Sequence, residues 1–449
     1  MNRCITFILF LVLLLLTGCN IGGTTGTPPD YSINHPVIIT DESENVFTAY
    51  QINYGNGDRR TYVQRLGKHG EKLWENHGFE LTSDIGGFLG NGEYAFSTLI
   101  ADNEGNIIVV YPSGYGVEII KLNTHGESMF PPVKIYANTK VKRSLKVIDN
   151  NYGGVIIAWI SDNASINITN TDIDGTEIWR KTLSTPNIDQ FDMINDIYGS
   201  TFILWKDNPP YSEGRLFLEK VDSTGTIWTG TNLLISDVNT EGSIVDRITS
   251  DGDGGAIVVW VANQKLFVQH IDMDGQLLWN EGLVLANTHS DPRIIRNNSG
   301  YLIFWRDGKS IRIQSIDSNG NTLWKDGSIV QTVISEKRQV YFYPTNGDDL
   351  DVVAFVWNCT EKDIQVLRMQ CLDSSGNKLW DNEGIVVSST PVYWAGYASP
   401  ARITPDGNGG FFISWVSGKH IQSETSSYIQ RISANGSILW GEEGIRLDE

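Results

Sequence analysis

Beyond residue 35 the chain alternates short apolar runs with clusters of Gly, Asp and Asn. No apolar spacing of helical period runs long enough to bury a helix face. Val, Ile, Phe and Trp dominate runs of about five to seven residues, which predicts strands joined by turns. The stretch Asp251 to Leu285, DGDGGAIVVWVANQKLFVQHIDMDGQLLWNEGLVL, shows the unit clearly. A turn of Gly and Asp leads into an apolar run ending in an aromatic. A second, alternating run ends in Ile-Asp. A tight turn, a Gly-x-x-x-Trp spacing and a last short run follow.

This unit recurs eight times. The aromatic closing the first run is Tyr50, Tyr111, Trp159, Trp205, Trp260, Trp305, Trp357 or Trp415. The aromatic after the tight turn is Trp74, Phe130, Trp179, Trp228, Trp279, Trp324, Trp380 or Trp440. Of the 14 tryptophans, only Trp394 falls outside these two columns. A further run precedes each Gly-rich turn, as in HPVIITD, SIVDRITSD and SPARITPD. Each unit therefore supplies four strands, A to D, at a period of about 52 residues, the signature of propeller blades. The expected fold is all-β: a β-propeller of eight four-stranded antiparallel blades over residues 36–449. A blade exposes two apolar faces, and the repeated rings fill the wedge between neighbours. No obvious spare strand is left at either end to complete the first blade, so closure could rest on packing of the last unit against the first alone, and seven or nine blades stay open.

The N-terminus reads differently. Met1, Asn2 and Arg3 precede an apolar run from Cys4 to Leu16, the pattern of a signal peptide. As a helix this run spans only about 20 Å, short of the roughly 30 Å of a hydrocarbon core. It ends in Leu16-Thr17-Gly18-Cys19, which resembles a lipobox, whose cysteine is diacylated and becomes the new N-terminus. The resemblance implies a signal over 1–18, lipid attachment at Cys19 and membrane association through that anchor. Residues 19–35, rich in Gly, Thr and Pro, read as a flexible tether. Asn20 stands where an inner-membrane lipoprotein carries Asp, which permits the outer membrane. The expected location is the cell envelope, outside the cytoplasm.

The formal charge of −19 becomes −20 once residues 1–18, with Arg3 as their one charge, are removed. Such a body is a poor partner for nucleic acid. Cys359 and Cys371 lie in a compartment that permits a disulfide. A hairpin turning near Glu361-Lys362 sets Cys371 opposite roughly residue 352, too far from Cys359 to bridge. Two packed thiols are expected instead.

The D-x-x-G-x-x-x-W element (Asp272 to Trp279, Asp317 to Trp324, Asp373 to Trp380) resembles the tryptophan-docking repeat of quinoprotein-like eight-bladed propellers. That family includes pyrroloquinoline-quinone dehydrogenases and the propeller lipoprotein of the outer-membrane barrel assembly machine. The spacing from Asp to Gly is one residue shorter here. The form GGxIVxW…VQxID…GxxLW is also similar to a repeat of uncharacterised secreted bacterial proteins. The resemblance implies the fold over residues 36–449, and function only by analogy, since sites are grafted on folds.

Site chemistry is sparse. No His-Glu-x-x-His, Gly-x-Ser-x-Gly or Walker loop occurs, nor the vicinal cysteine pair of quinone enzymes. Asn170-Thr-Asp172-Ile-Asp174-Gly175 matches the start of a calcium loop, but position twelve is Lys181. The same turn recurs with other residues, so turn chemistry accounts for it. No metal, cofactor or catalytic residue is expected.

In an up-and-down sheet, A–B and C–D turns share one face, and B–C and D–A connections the other. The second face carries the insertions Asn53 to Arg60, Ser83 to Tyr94, Asn208 to Gly214 and Ser388 to Ser399. The last holds Tyr393, Trp394 and Tyr397, a candidate surface for stacking on a sugar or anchoring a protein. The expected function is a lipid-anchored, monomeric, non-catalytic binding or scaffold module for a protein or glycan partner. The alternatives are a glycan-active hydrolase or lyase with carboxylates converging at the channel mouth, and an assembly factor of the outer membrane.

Overall fold

The computed structural model describes residues 36–449 apart from short stretches of the connections, the longest being 82–87, 208–213, 241–246, 333–341, 389–400 and 418–425. The described residues form eight four-stranded antiparallel sheets, each an up-and-down meander of consecutive strands. Together they make an eight-bladed β-propeller. The A strands are Val37–Thr40, Thr98–Ala101, Val141–Asp149, Ile188–Asn195, Ile248–Ser250, Arg293–Asn297, Phe342–Asn346 and Ala401–Pro405. Each A strand contacts the next, and that of blade 8 contacts that of blade 1, so the inner edge closes on itself around a channel.

The B strands read as unbroken apolar runs because neighbouring blades cover both faces. In Val155–Ser161, Ala256–Ala262 and Phe411–Ser417 every residue is buried. The core is divided into eight clusters, one per interface between blades. Most interfaces pair the second aromatic of one blade with the first of the next: Trp324 with Trp357, Trp380 with Trp415, Trp279 with Trp305. The eighth sets Trp440 and Leu447 of blade 8 against Tyr50, Tyr62 and Leu66 of blade 1. Closure is thus by packing and by hydrogen bonds across the seam, and among the described residues no strand is exchanged between the first and last blades.

The second-column indoles also dock by hydrogen bond. The Nε1–H of Trp74 donates to the Thr124 carbonyl (3.0 Å), that of Trp324 to Ser374 (3.2 Å) and that of Trp380 to Ala434 (3.0 Å). Each acceptor lies in the C–D turn of the following blade. Trp440 closes the series on the Lys68 carbonyl of blade 1 at 3.1 Å. These turns need glycine. Gly376 has φ +82° and a Cβ there would sit 3.1 Å from the Trp324 ring.

Cys359 and Cys371 are buried on different faces of blade 7. They pair with Val366 and Ala354 and pack toward blades 6 and 8 respectively. The insertion at Asn53 to Arg60 is largely strand, an extension of the B–C hairpin with Gly55 opposite Asp58. Ser83 to Tyr94 contains a small extra ribbon, Phe88–Leu89 against Glu93–Tyr94.

A buried glutamine recurs on the C strand at Gln64, Gln269, Gln314, Gln370 and Gln430. Its amide bonds the backbone after the tight turn, as Gln314 Nε2 does to the Trp324 carbonyl (3.1 Å). Blade 4 puts Glu219 at this position, and burial pushes its carboxyl up to about 7. A folded-state value above the ordinary one stabilises the protonated fold. That contribution is full below about pH 4.5 and is lost as pH rises through 7. Glu219→Gln is therefore expected to stabilise the protein at pH 8, by up to about 3 kcal/mol, and to leave it unchanged at pH 4. Urea titrations at the two pH values check this; an equal effect at both would refute it.

Candidate functional site

The sequence-derived candidates Tyr393, Trp394 and Tyr397, and the lipid-attachment cysteine Cys19, lie outside the described residues. What the described residues bring together is a ring around the channel.

Every A strand has one residue whose partner on the B strand immediately precedes the first-column aromatic. In blades 1 and 2 it is Val37, opposite Ala49, and Thr98, opposite Val110. In blades 3 to 8 it is Lys146, Asp192, Arg247, Arg293, Tyr343 and Arg402. Shared register puts all eight at one level of the channel. The residue after each, such as Leu99, Met193, Ile248 or Ile403, is buried between blades. Strand alternation turns the ring residues the other way.

The side chains converge. Lys146 Nζ pairs with Asp192 at 3.1 Å. The Arg293 and Arg402 guanidinia lie 5.2 and 4.7 Å from the Tyr343 ring centroid, flanking the phenol from blades 6 and 8. Cation and ring quadrupole attract each other in this arrangement. The Arg402 charge, with those of Arg293 and Lys146, draws the Tyr343 hydroxyl below the usual phenol range, although burial and Asp192 push the other way. Lys146 stands four blades away from Tyr343, so its charge acts on the phenol from across the axis. Burial brings Arg293 down to about 10, leaving it charged at neutral pH.

Four cations against one carboxylate make this level positive in a chain of net charge −19. Two residues further along each A strand lies a collar that is uncharged. It is built from Ile39, Ile100, Ile148, Ile194 and Ile295, with threonines at 249, 345 and 404. Beyond it come the A–B turns, so the charged level lies on the side of the B–C and D–A connections. A cavity of about 140 Å³ joins the two levels, bounded by Asp192, Ile194, Ile295, Tyr343 and Pro344. The arrangement can hold an anion by charge-assisted hydrogen bonds, with apolar wall below it. Among the described residues this level carries a single carboxylate, that of Asp192.

A second set of charges is structural. The first residue of the A–B turn caps that turn and pairs with the C strand: Asp41 with Arg65 (2.6 Å), Asp102 with Lys121 (2.8 Å), Asp251 with His270 (2.9 Å) and Asp406 with Arg431 (2.8 Å). In the calcium-like turn, Asp172 Oδ1 accepts the amides of Asp174 and Thr176, as Asp272, Asp317 and Asp373 do in theirs.

The ring escaped sequence reasoning because its column reads Val, Thr, Lys, Asp, Arg, Arg, Tyr, Arg, with no shared chemistry. A usable signal exists. In most blades the residue lies four before the acid or amide that opens the A–B turn. Blade 6 hides it with a tighter turn, Asn297 pairing directly with Gly300, and blade 7 with a longer one, Gly347 bonding Val352.

No protein-family model matches the chain, and no curated protein matches it. Solved structures do. The lectin BP39L from Burkholderia pseudomallei superimposes with a TM-score of 0.50 at 13% identity, over 78% of this chain and 97% of that one. A eukaryotic initiation factor gives 0.48 at 9% identity, over 91% and 88%. A protein from Lactobacillus plantarum gives 0.45 at 12% identity, over 72% and 90%. The likeness to the lectin is one of fold.

Proposed function

We propose that the protein is a lipid-anchored, extracytoplasmic binding propeller that presents its B–C/D–A face and the channel beneath it to a protein or glycan partner. The observation that carries this reading is the ring: a cationic level on a rigid closed scaffold, next to a cavity with an apolar wall. The N-terminal pattern supports the anchor, with a signal over 1–18, lipid on Cys19 and a tether to residue 35. Seating of each indole on the next blade's glycine turn supports reading the units as tryptophan-docking repeats. Tyr393, Trp394 and Tyr397 fall in the sequence that joins blades 7 and 8, and in this reading they would add an aromatic rim.

Two measurements test this. Cys19→Ala is expected to abolish incorporation of labelled palmitate and release the protein from membranes; lipid labelling that persists would refute the anchor. On a glycan array, or with membrane proteins cross-linked to the full chain, Trp394→Ala is expected to weaken retention by about tenfold. Hydrolysis of the array glycans by the wild-type protein would replace the binding reading with a catalytic one.

A further inference from the structure

We propose that the A–B/C–D face of blades 3 to 5 docks a basic segment of a protein partner, its apolar side chains lying on a stripe built around Tyr152 and Tyr198 and its arginines on the aspartates at the border. This surface is opposite the B–C/D–A face and goes beyond the function proposed above.

The stripe is continuous. Tyr152, in the A–B turn of blade 3, reaches over the A–B turn of blade 4, where a Cβ on Gly199 would sit 3.0 Å from its ring. Tyr198 reaches in the same way over blade 5, where a Cβ on Gly254 would sit 2.9 Å from its ring and 3.3 Å from Met273 Cβ. Ile173, from the C–D turn of blade 3, lies beside Gly153, and Ile197 adjoins Tyr198 in the chain. All five side chains are exposed, Tyr152 by 70% and Tyr198 by 54%. A contiguous apolar patch left in water, rimmed by polar residues, marks a contact surface.

The fold does not demand these residues. The third residue of the A–B turn donates its amide to the side chain that opens the turn: Tyr152 to Asn150 (2.8 Å) and Tyr198 to Asp196 (2.9 Å). Glu104, Asp253 and Asn408 make the same bond in blades 2, 5 and 8. At the C–D turn position of Ile173 and Met273, blades 2, 4, 6 and 7 carry Thr124, Ser223, Ser318 and Ser374. Large apolar residues at these turn positions thus gather in three adjacent blades. The turns are braced, with Asn151 Nδ2 donating to the Asp196 carbonyl (3.2 Å) and Lys220 Nζ to the Gly254 carbonyl (2.9 Å). A preformed surface keeps the entropy cost of docking low.

Charge selects the occupant. Asp172 and Asp174 flank Ile173, Asp272 and Asp274 flank Met273, and Asp222 and Asp253 adjoin Ser223 and Gly254. Lys181 and Arg296 reach the border at Gly225 and Gly252, while Lys220 is buried and paired with Asp196 at 3.3 Å. Six aspartates therefore outweigh two peripheral cations. Such a rim repels an anionic membrane surface and a second copy of this acidic chain, and attracts a basic segment. An arginine there can stack on tyrosine while its fork meets a carboxylate.

Fluorescence anisotropy of the full chain with a labelled peptide of alternating arginine and leucine tests the assignment; about 12 residues span roughly 40 Å when extended. One peptide is expected to bind per chain. Serine in place of leucine is expected to weaken it about tenfold, and glutamate in place of arginine to abolish it. Tyr152→Ser with Tyr198→Ser is expected to cost about tenfold, and Asp174→Asn with Asp274→Asn about threefold or more, the latter shrinking at high salt. Glu104→Gln, in the equivalent turn of blade 2, is expected to leave the affinity unchanged, and thermal unfolding reports whether each variant is folded. No binding to the folded wild-type chain, unchanged affinity in the folded double tyrosine variant, or an arginine–serine peptide that binds as tightly would each overturn the assignment. So would a loss with Glu104→Gln equal to that of the aspartate pair. Sedimentation showing a wild-type dimer that the tyrosine variant dissolves would give the stripe to a second copy, and capture on anionic vesicles lost in the same variant would give it to a membrane.

Discussion

Replacing Trp440 by alanine is expected to destabilise the ring by about 3–5 kcal/mol, the usual cost of removing a buried tryptophan. Its indole is 8% exposed and packs with Leu447 against Tyr50, Tyr62 and Leu66. Its Nε1–H bonds the Lys68 carbonyl across the seam between blades 8 and 1. The substitution thus opens a cavity and leaves a carbonyl short of its donor at the one interface that no loop spans. Trp179→Ala is the control. That indole docks in the same way, on the Ser223 carbonyl at 3.0 Å, but is only half-buried and lies between covalently linked blades. It is expected to cost about half as much or less. The shift of the first transition in urea measures both; equal losses would contradict a seam held by packing.

The second large effect belongs to Arg431. Its Nε donates to Asp406 at 2.8 Å, and its two terminal nitrogens reach the Lys68 carbonyl (3.1 Å) and Glu44 (2.9 Å) in blade 1. These bonds hold its guanidinium above the usual arginine value, although burial opposes them. One side chain therefore fixes a turn in blade 8 and clamps it to blade 1. Arg431→Leu leaves the Asp406 carboxylate, 2% exposed, without its cation, and is expected to cost about 3–5 kcal/mol. Asp406 Oδ1 also accepts the amides of Asn408 and Gly410, a role that asparagine can keep. Adding Asp406→Asn to Arg431→Leu is therefore expected to recover about half of the loss, because it removes the stranded charge and preserves the cap. Urea midpoints of the single and double variants decide it. A double variant less stable than the single one would show that the clamp, and not the unpaired charge, dominates.

The fold was legible because its cause is periodic. Large rings recur where two blades must fill a wedge, and Gly-x-x-x-Trp recurs where an indole seats on the next turn. Both leave columns of one residue type, so eight units of four strands each follow from the letters; the closure came only with the structure, which seats Trp440 on blade 1. The extra ribbon at Phe88–Tyr94 and the extended hairpin through Gly55 and Asp58 were read as insertions only, since neither belongs to the repeat. The channel ring was illegible for the opposite reason. Its eight positions are equivalent in register yet differ in chemistry, from Val37 and Tyr343, which pack against the cores between blades 1 and 2 and blades 7 and 8, to the fully buried Arg247. Lys146 and Tyr343 lie far apart in sequence, and only closure of the circle lets the charge of one act on the other. The turn pairs, such as Asp102 with Lys121, were visible as letters in IAD and IIKL, but their coupling needs the hairpin register.

The central claim is that blade 8 packs against blade 1. His69 in the C–D turn of blade 1 and Glu442 after Trp440 in blade 8 are both exposed. They flank the bond from Trp440 to Lys68. Spin labels on His69→Cys and Glu442→Cys, measured by pulsed electron resonance, report the span between them. The closed propeller predicts a single narrow distribution below about 25 Å, whereas eight sheets stacked in a row at about 10 Å each would place the labels roughly 70 Å apart. A distribution centred near that longer value would contradict the account.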